Sequence, residues 1–166
     1  MAQKAKPVVL GVGNLLLRDE GIGVHVIERL QEMGFDDEAD LVDAGTAVFD
    51  YLELLETATK LIIVDAVVAG GEPGSVYRVD LSGVDLYSSG GSYLSLHELG
   101  LLDSLRWLNR RPDEVIIIGV EPKDMGWGIG LSPEVEAKMP RILQKVIKEI
   151  ESRFVDIRSG NRHPIE

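Results

Sequence analysis

Short apolar runs alternate along the chain with stretches whose apolar residues recur at helical spacing. Residues 7–13 form an apolar, β-branched run that ends in glycine, which is typical of a buried parallel strand. Residues 22–33 then carry apolar side chains at helical spacing and are followed by Gly34, which predicts a helix. The same patterns predict further strands at 39–44, 60–66, 75–81 and 113–120, and further helices at 48–55, 95–109 and 133–154.

Capping residues mark the starts of the last two helices. Ser95 with Glu98 three residues later fits a capping box. Ser132 followed by Pro133 fits an N-cap and a first helical position. Ser95 follows the Ser- and Gly-rich residues 84–94, which are predicted to be a mobile loop, and Ser132 follows the glycine-rich loop predicted at 124–130.

The order of the elements predicts an α/β fold. Strand and helix alternate through residues 7–66, which implies right-handed crossovers and a mostly parallel sheet with helices on both faces. The nine residues 66–74 are too few for a parallel crossover, so the strand at 75–81 is predicted to run antiparallel at an edge. The length of 166 residues fits one domain, which we place at 1–155, with 156–166 as a flexible C-terminal tail.

Composition and charge narrow the class of function. Hydrophobic residues make up 45% of the chain and charged residues 27%, as in an ordinary globular protein. No apolar run reaches the roughly 18 residues of a membrane span, so we expect a cytoplasmic protein without membrane insertion. Cysteine is absent, so any metal must be held by histidine, carboxylate or backbone oxygen. The net charge of −11 disfavours nucleic acid as a partner and favours a metal ion or a cationic patch.

Acidic residues lie at or beyond the carboxyl ends of four predicted strands: Glu20, Asp43, Asp65 and Glu121. In an open parallel sheet, ligands bind at the carboxyl ends of the strands. A single acid in such a place is more often solvated or used as a helix cap. Four of them at one edge of a sheet favour a binding site.

His97 is the candidate nitrogen ligand. It lies just inside a capped helix, where the positive end of the helix keeps the imidazole neutral and able to bind a metal. Two carboxylates and one imidazole suit nickel, zinc, manganese or iron, with positions left open for a substrate. The spacing matches no local metal signature, and a histidine here is more often part of a capping turn. His25 is predicted to lie beside Arg29 on the polar face of its helix.

Two other chemistries fit the motifs less well. Residues 11–16 begin like a dinucleotide fingerprint, but Leu16 stands where the third glycine belongs. The chain contains no Gly-x-Ser-x-Gly elbow, which argues against a serine triad.

Five blocks of sequence carry a family resemblance: Gly11-Val12-Gly13-Asn14 with Asp19-Glu20-Gly21-Ile22-Gly23, Asp43-Ala44-Gly45-Thr46, Val64-Asp65-Ala66, Ser95-Leu96-His97 and Gly128-Ile129-Gly130-Leu131-Ser132-Pro133. With these blocks the chain resembles the hydrogenase maturation endopeptidases, and the resemblance covers nearly the whole chain, from Val9 to about Ile150. That family trims the C-terminus of the large subunit of nickel-iron hydrogenases. The resemblance implies a three-layer α/β/α sandwich of the phosphorylase/hydrolase-like type, with a mostly parallel sheet and an antiparallel edge strand.

The resemblance also implies a site and a substrate. Glu20, Asp65 and His97 correspond to the metal-contacting and catalytic trio of a metal-dependent, aspartic or metallo-type endopeptidase. By this resemblance the metal is expected to be nickel supplied by the substrate, the hydrogenase large-subunit precursor, with zinc or cadmium able to occupy the same place. The protein is expected to act as a monomer.

Two further expectations concern the loops at this site. The family's recognition turn, commonly Asp-Gly-Gly-Thr, corresponds to Asp43, Ala44, Gly45 and Thr46, with Ala44 departing from the common form. The glycines of the first loop are interpreted as room for an extended substrate tail beside Glu20, and Asp19 is predicted to cap the helix that follows.

Two alternatives to a peptidase remain open from the sequence. One is a non-catalytic checkpoint protein that docks on the metal-loaded large subunit without cutting it. The other is a different hydrolase, or a nucleoside-processing enzyme, on a similar fold.

Overall fold

The computed structural model describes residues 5–82 and 105–152, which hold five strands and three complete helices. Three short 3-10 turns, at Arg18–Gly21, Phe35–Asp37 and Val48–Tyr51, lie between them. The strands and helices are, in chain order, β1 Val8–Val12, α1 Ile22–Glu32, β2 Asp40–Gly45, α2 Leu52–Thr57, β3 Lys60–Ala66, β4 Val76–Asp80, β5 Glu114–Val120 and α3 Pro133–Glu151.

The strands form one sheet in the order β2-β1-β3-β5-β4. β1, β2, β3 and β5 run parallel, and β4 pairs antiparallel with β5 at the edge. The predicted mostly parallel sheet with an antiparallel edge strand is therefore confirmed. The short connection after β3 is the reason, since it cannot carry a chain back to the start of a parallel strand.

Helices cover both faces of the sheet, as the predicted sandwich requires. β3 is buried along its whole length because a parallel strand with helices on both sides has no face in water. On one face α1 and α3 pack on alternate strand residues, among them Val9, Ile62 and Ile116. On the other face Leu55, Leu105 and Leu108 pack on the intervening residues, among them Leu10, Leu61 and Ile117.

Two glycines bring α1 into direct contact with the ends of the strands. A β-carbon on Gly11 would overlap the carbonyl of Gly23, and one on Gly23 would overlap the carbonyls of Val12 and Val64. The space that these glycines leave is thus taken up by the protein's own backbone. The interpretation of Gly11 and Gly23 as room for a substrate is wrong. These positions lack a β-carbon because α1 packs closely against the ends of the strands.

The helix predicted at 48–55 begins later than expected. Val48–Tyr51 is a 3-10 turn, and the α-helix runs over Leu52–Thr57. A 3-10 turn has three residues per turn, which leaves Val48 buried and directs Phe49 outward with 54% of its surface exposed. As a single helix, residues 48–55 would by their spacing be predicted to turn Phe49, Leu52 and Leu55 inward. That prediction is wrong for Phe49, whereas Leu55 is buried as predicted.

Several predictions fall on residues outside the described ranges. These are the loop at 84–94, most of the helix at 95–109, and the tail at 156–166. The last helix ends at Glu151, where Ser152 becomes extended, three residues before the predicted end at 154. Among residues 5–82 and 105–152, no helix is both long and apolar enough to span a membrane.

Candidate functional site

Two buried carboxylates lie at the carboxyl edge of the parallel strands. Glu20, in the 3-10 turn after β1, is 6% exposed, and Asp65, the penultimate residue of β3, is 2% exposed. The turn packs against β3, and Gly23 in the first turn of α1 packs against the backbone carbonyl of Val64. The structure thus brings Glu20 and Asp65 to the same edge of the sheet, as the sequence predicted.

Glu20 reaches this edge because the loop folds back at Gly13. The φ angle of Gly13 is +143°, and a β-carbon there would overlap the carbonyl oxygen of Glu20. The amide of Glu20 donates to the carbonyl of Leu17 at 3.1 Å, which closes the turn. Only glycine at position 13 lets the backbone of residue 20 approach so closely.

Asp65 is positioned by the pleat of β3. Strand alternation places it on the same face as Leu61 and Ile63, opposite to α1 and α3. Its Oδ1 accepts a hydrogen bond from the amide of Ala66 at 2.8 Å. A carboxylate buried in this way is held within narrow limits, as a metal ligand must be.

Asp19 does not cap α1, contrary to the prediction. The N-cap of α1 is Gly21, without a side-chain cap, and the fully buried carboxylate of Asp19 points to the loop after β5. Its Oδ2 accepts from the amides of Lys123 and Asp124 at 2.9 Å and from the hydroxyl of Ser132 at 2.7 Å. Its Oδ1 accepts from the amide of Ser132 at 2.7 Å. Asp19 therefore ties the Glu20 loop to the start of α3.

Glu121, the fourth strand-end acid, serves the connection between β3 and β4. Its carboxylate accepts from the amides of Ala69 and Gly70 at 2.8 and 3.2 Å and from the hydroxyl of Tyr77 at 3.0 Å. The pKa of Tyr77 is raised, first by burial of its hydroxyl and then by the bond to Glu121. These contacts give Glu121 a structural task, so only part of the acidic set belongs to a candidate site.

The proposed recognition turn lies beside the Glu20 loop. The amide of Gly13 donates to the carbonyl of Gly45 at 2.9 Å, and the amide of Gly45 donates to Oδ1 of Asp43 at 3.0 Å. Gly45 has a φ of +50°, whereas Ala44 does not, and the methyl group of Ala44 is buried in the core. The departure from the family's common form at position 44 thus causes no backbone strain, and Asp43 and Thr46 remain exposed.

His97 lies outside the described residues, so its predicted place beside Glu20 and Asp65 stays a prediction. Within the described part of the chain, no three histidine or acidic side chains are grouped closely enough to hold a metal ion. His25 is partly buried, with 20% of its side chain exposed and its Nδ1 3.6 Å from Oε2 of Glu28. It lies in the first turns of α1, two residues after Gly23, and its Nε2 is buried, so His25 is less exposed than its predicted place on the polar face of the helix implies.

One further feature of this edge was not predicted from the sequence. Leu16, Trp127 and Ile129 are exposed apolar residues in the loops that follow β1 and β5. The available signal was an apolar residue on each side of Gly128 in an otherwise glycine-rich loop. That the loops meet could not be foreseen, because they are more than a hundred residues apart.

Comparison with known proteins identifies the family. The family model described as hydrogenase maturation protease matches residues 24–149. The chain is 34% identical to the hydrogenase 2 maturation protease of Escherichia coli, over 90% of this chain and 93% of that protein. It is 33% identical to the coenzyme F420 hydrogenase subunit delta of Methanothermobacter thermautotrophicus, over 90% and 98% of the two chains.

A solved structure shares both the fold and the sequence pattern. The hydrogenase maturating endopeptidase HybD of Escherichia coli matches with a TM-score of 0.74 and 33% identity, over 87% of this chain and 91% of that one. The resemblance found in the sequence blocks is confirmed. A shared fold, matched over most of both chains at this identity, leads to one conclusion: the chain belongs to the hydrogenase maturation protease family.

Proposed function

We propose that this protein is the endopeptidase that removes the C-terminal extension from the nickel-loaded large-subunit precursor of a nickel-iron hydrogenase. Membership of the family supports the peptidase activity and the class of substrate. The observation that carries the location of the site is the burial of Glu20 and Asp65 at one edge of the sheet. Asp19 and Glu121 are also buried near this edge, but their carboxylates hold the loop after β5 and the β3–β4 connection.

The electrostatics of the pair favour a cation. Two carboxylates withdrawn from water at one edge are stabilised by a positive charge between or beside them. Carboxylate oxygen with an imidazole nitrogen, for which His97 is the candidate, suits nickel and also zinc or cadmium. Because the nickel arrives with the precursor, the site would distinguish loaded from unloaded substrate.

The same arrangement accounts for peptide cleavage without a nucleophilic side chain. The chain has no cysteine and no serine elbow, and a bound metal can polarise a carbonyl or lower the pKa of a water molecule. Glu20, Asp65 and His97 would hold the metal of the substrate. The exposed turn from Asp43 to Thr46, hydrogen-bonded to Gly13, would align the extended tail across this edge.

Three substitutions test the site. Each of the variants Glu20→Gln, Asp65→Asn and His97→Ala is expected to lower the rate of cleavage of the nickel-loaded precursor by more than about 100-fold. Loss of a residue that only hydrogen-bonds to a metal ligand already lowers activity about 10–100-fold. Mass spectrometry of the large subunit measures removal of the C-terminal peptide. Circular dichroism checks that each variant is folded.

Glu121→Gln is the matched control. It alters a buried carboxylate at the same edge that serves only the β3–β4 connection, so it should lose stability and still cleave. Cleavage at the wild-type rate by all three site variants would refute the proposed site. Binding of the precursor without removal of a peptide would instead favour the non-catalytic checkpoint.

A further inference from the structure

Exposed apolar side chains are concentrated on two loops at the carboxyl edge of the sheet. Leu16, in the loop after β1, is 54% exposed. Trp127 and Ile129, in the loop after β5, are 80% and 82% exposed. We call residues 15–18 and 125–130 together the loop platform. Single exposed apolar side chains are ordinary on protein surfaces, but several of them on adjacent loops mark an interaction site.

The two parts of the loop platform are hydrogen-bonded to each other. The amide of Gly128 donates to the carbonyl of Leu16 at 2.9 Å, and the amide of Arg18 donates to the carbonyl of Gly128 at 3.0 Å. A β-carbon on Gly128 would lie 2.7 Å from Cζ of Arg18, so the guanidinium group lies against this glycine. Leu16, Arg18, Trp127 and Ile129 are thereby carried on adjacent stretches of backbone.

The loop platform is held in place by the buried carboxylate of Asp19, so its apolar side chains stay exposed as long as the protein is folded. Asp19 follows directly on Arg18, and its buried carboxylate accepts hydrogen bonds from Lys123, Asp124 and Ser132. Arg18 also pairs with Asp124, with 3.4 Å between Nε and Oδ2. Tryptophan and arginine are enriched at the hot spots of protein interfaces, the few residues that contribute most of the binding energy. The loop platform presents both residue types together with aliphatic side chains.

We propose that the loop platform is the docking surface for the folded body of the large-subunit precursor, through an apolar patch on that protein. This inference rests on the proposed function. Leu16 and Glu20 belong to one loop, and the amide of Glu20 bonds to the carbonyl of Leu17, so the loop platform is continuous with the candidate site. A protein whose tail reaches Glu20 therefore covers the loop platform.

The two tryptophans of the chain provide a matched pair of variants. Trp127→Ala removes the side chain from the loop platform. Trp107→Ala removes one that is 74% exposed near the start of β5, where Asn109 is hydrogen-bonded to Glu56 before β3. Trp127→Ala is expected to raise the KM for the nickel-loaded precursor at least about tenfold with kcat unchanged, whereas Trp107→Ala leaves both unchanged.

A binding measurement separates this inference from the proposed function. The tryptophan emission of Trp107→Ala, which retains Trp127, should shift to shorter wavelength on addition of the precursor, and that of Trp127→Ala should not. If the wild-type protein cleaves the precursor and Trp127→Ala does so with the same KM, the docking surface is refuted while the proposed function stands. Loss of a self-associated dimer in Trp127→Ala, without a change in KM, would also refute it and assign the surface to a second copy of the chain.

Discussion

Neighbouring acids in this protein have different tasks, which is clearest at Asp19 and Glu20. Both are buried in the same 3-10 turn. The carboxylate of Asp19 is surrounded by hydrogen-bond donors of the loop after β5, whereas Glu20 lies at the edge that also holds Asp65. A role for either acid therefore follows from the groups around it and not from its position at the end of a strand.

Asp19→Asn is expected to lower the free energy of unfolding by about 3 kcal/mol. Both carboxylate oxygens accept hydrogen bonds from backbone amides. In either orientation of the asparagine, its NH2 group would therefore face a backbone N–H donor instead of an acceptor. Urea unfolding measures the change. Asp124→Asn, in the same loop with 51% of its side chain exposed, is the control and should change stability by less than about 1 kcal/mol. Equal effects of the two substitutions would contradict the anchoring role of Asp19.

At the scale of elements, the edge strand β4 shows how a short connection and one buried acid act together. The connection from β3 cannot form a crossover, so β4 turns back and pairs with β5. Glu121, directly after β5, accepts from the amides of Ala69 and Gly70 in that connection and from the hydroxyl of Tyr77 in β4. The acid thus ties the β3–β4 connection and strand β4 to the end of β5.

Tyr77→Phe is expected to destabilise the protein, and the effect should depend on pH. The pKa of Tyr77 is raised above its ordinary value of 10.0, first by burial and then by its bond to Glu121, so folding favours the protonated phenol. Its contribution is complete below pH 10 and is lost as the pH rises through the raised pKa. Urea midpoints of the wild type and Tyr77→Phe should therefore differ at pH 7 and converge in strong alkali. A difference that stays constant above pH 10 would contradict this assignment.

At the scale of the whole molecule, the two edges of the sheet carry different charged groups. The amino edge holds a buried lysine with acidic partners, and the carboxyl edge holds two buried acids. At the amino edge, Lys60 is 6% exposed and lies 3.3 Å from Glu114 and 3.6 Å from Glu149, with its Nζ also bonded to the hydroxyl of Ser152 at 2.6 Å. Glu149 also pairs with Arg78 of β4. This network joins α3 to three strands. At the carboxyl edge, Glu20 and Asp65 are buried beside the loops that we assign to the substrate.

Lys60→Met is expected to cost about 3 kcal/mol of stability, because removing one partner leaves buried carboxylates without their cation. Thermal unfolding measures the loss, and Lys145→Met, on the exposed side of α3, is the control with little effect. Well below the unfolding transition, Lys60→Met should still cleave the precursor at the wild-type rate. Impaired cleavage by a folded Lys60→Met protein would show that the two edges are coupled.

Much of the fold could be predicted from the sequence because the signals are local. The strands predicted at 60–66 and 113–120 each contain four consecutive large apolar residues, at 61–64 and 115–118. Ser132 with Pro133 marks a helix start that the structure confirms, with Ser132 accepting from the amide of Val135. The inward orientation predicted for Phe49 is wrong because this part of the segment is a 3-10 turn and not an α-helix. Which of the two forms depends on how the segment packs against the sheet. For the site, the shared edge of Glu20 and Asp65 followed from parallel topology, since carboxyl ends of parallel strands gather on one side.

By itself, the sequence determined the order of elements, the antiparallel edge strand, and the family, since all of these depend on neighbouring residues or on short motifs. Only the tertiary structure decided what each acid does. Asp19 meets donors 104 to 113 residues away, and Glu121 meets an amide 52 residues away. The environment of a carboxylate is made by such distant groups, so its role cannot be derived from the residues beside it in the chain.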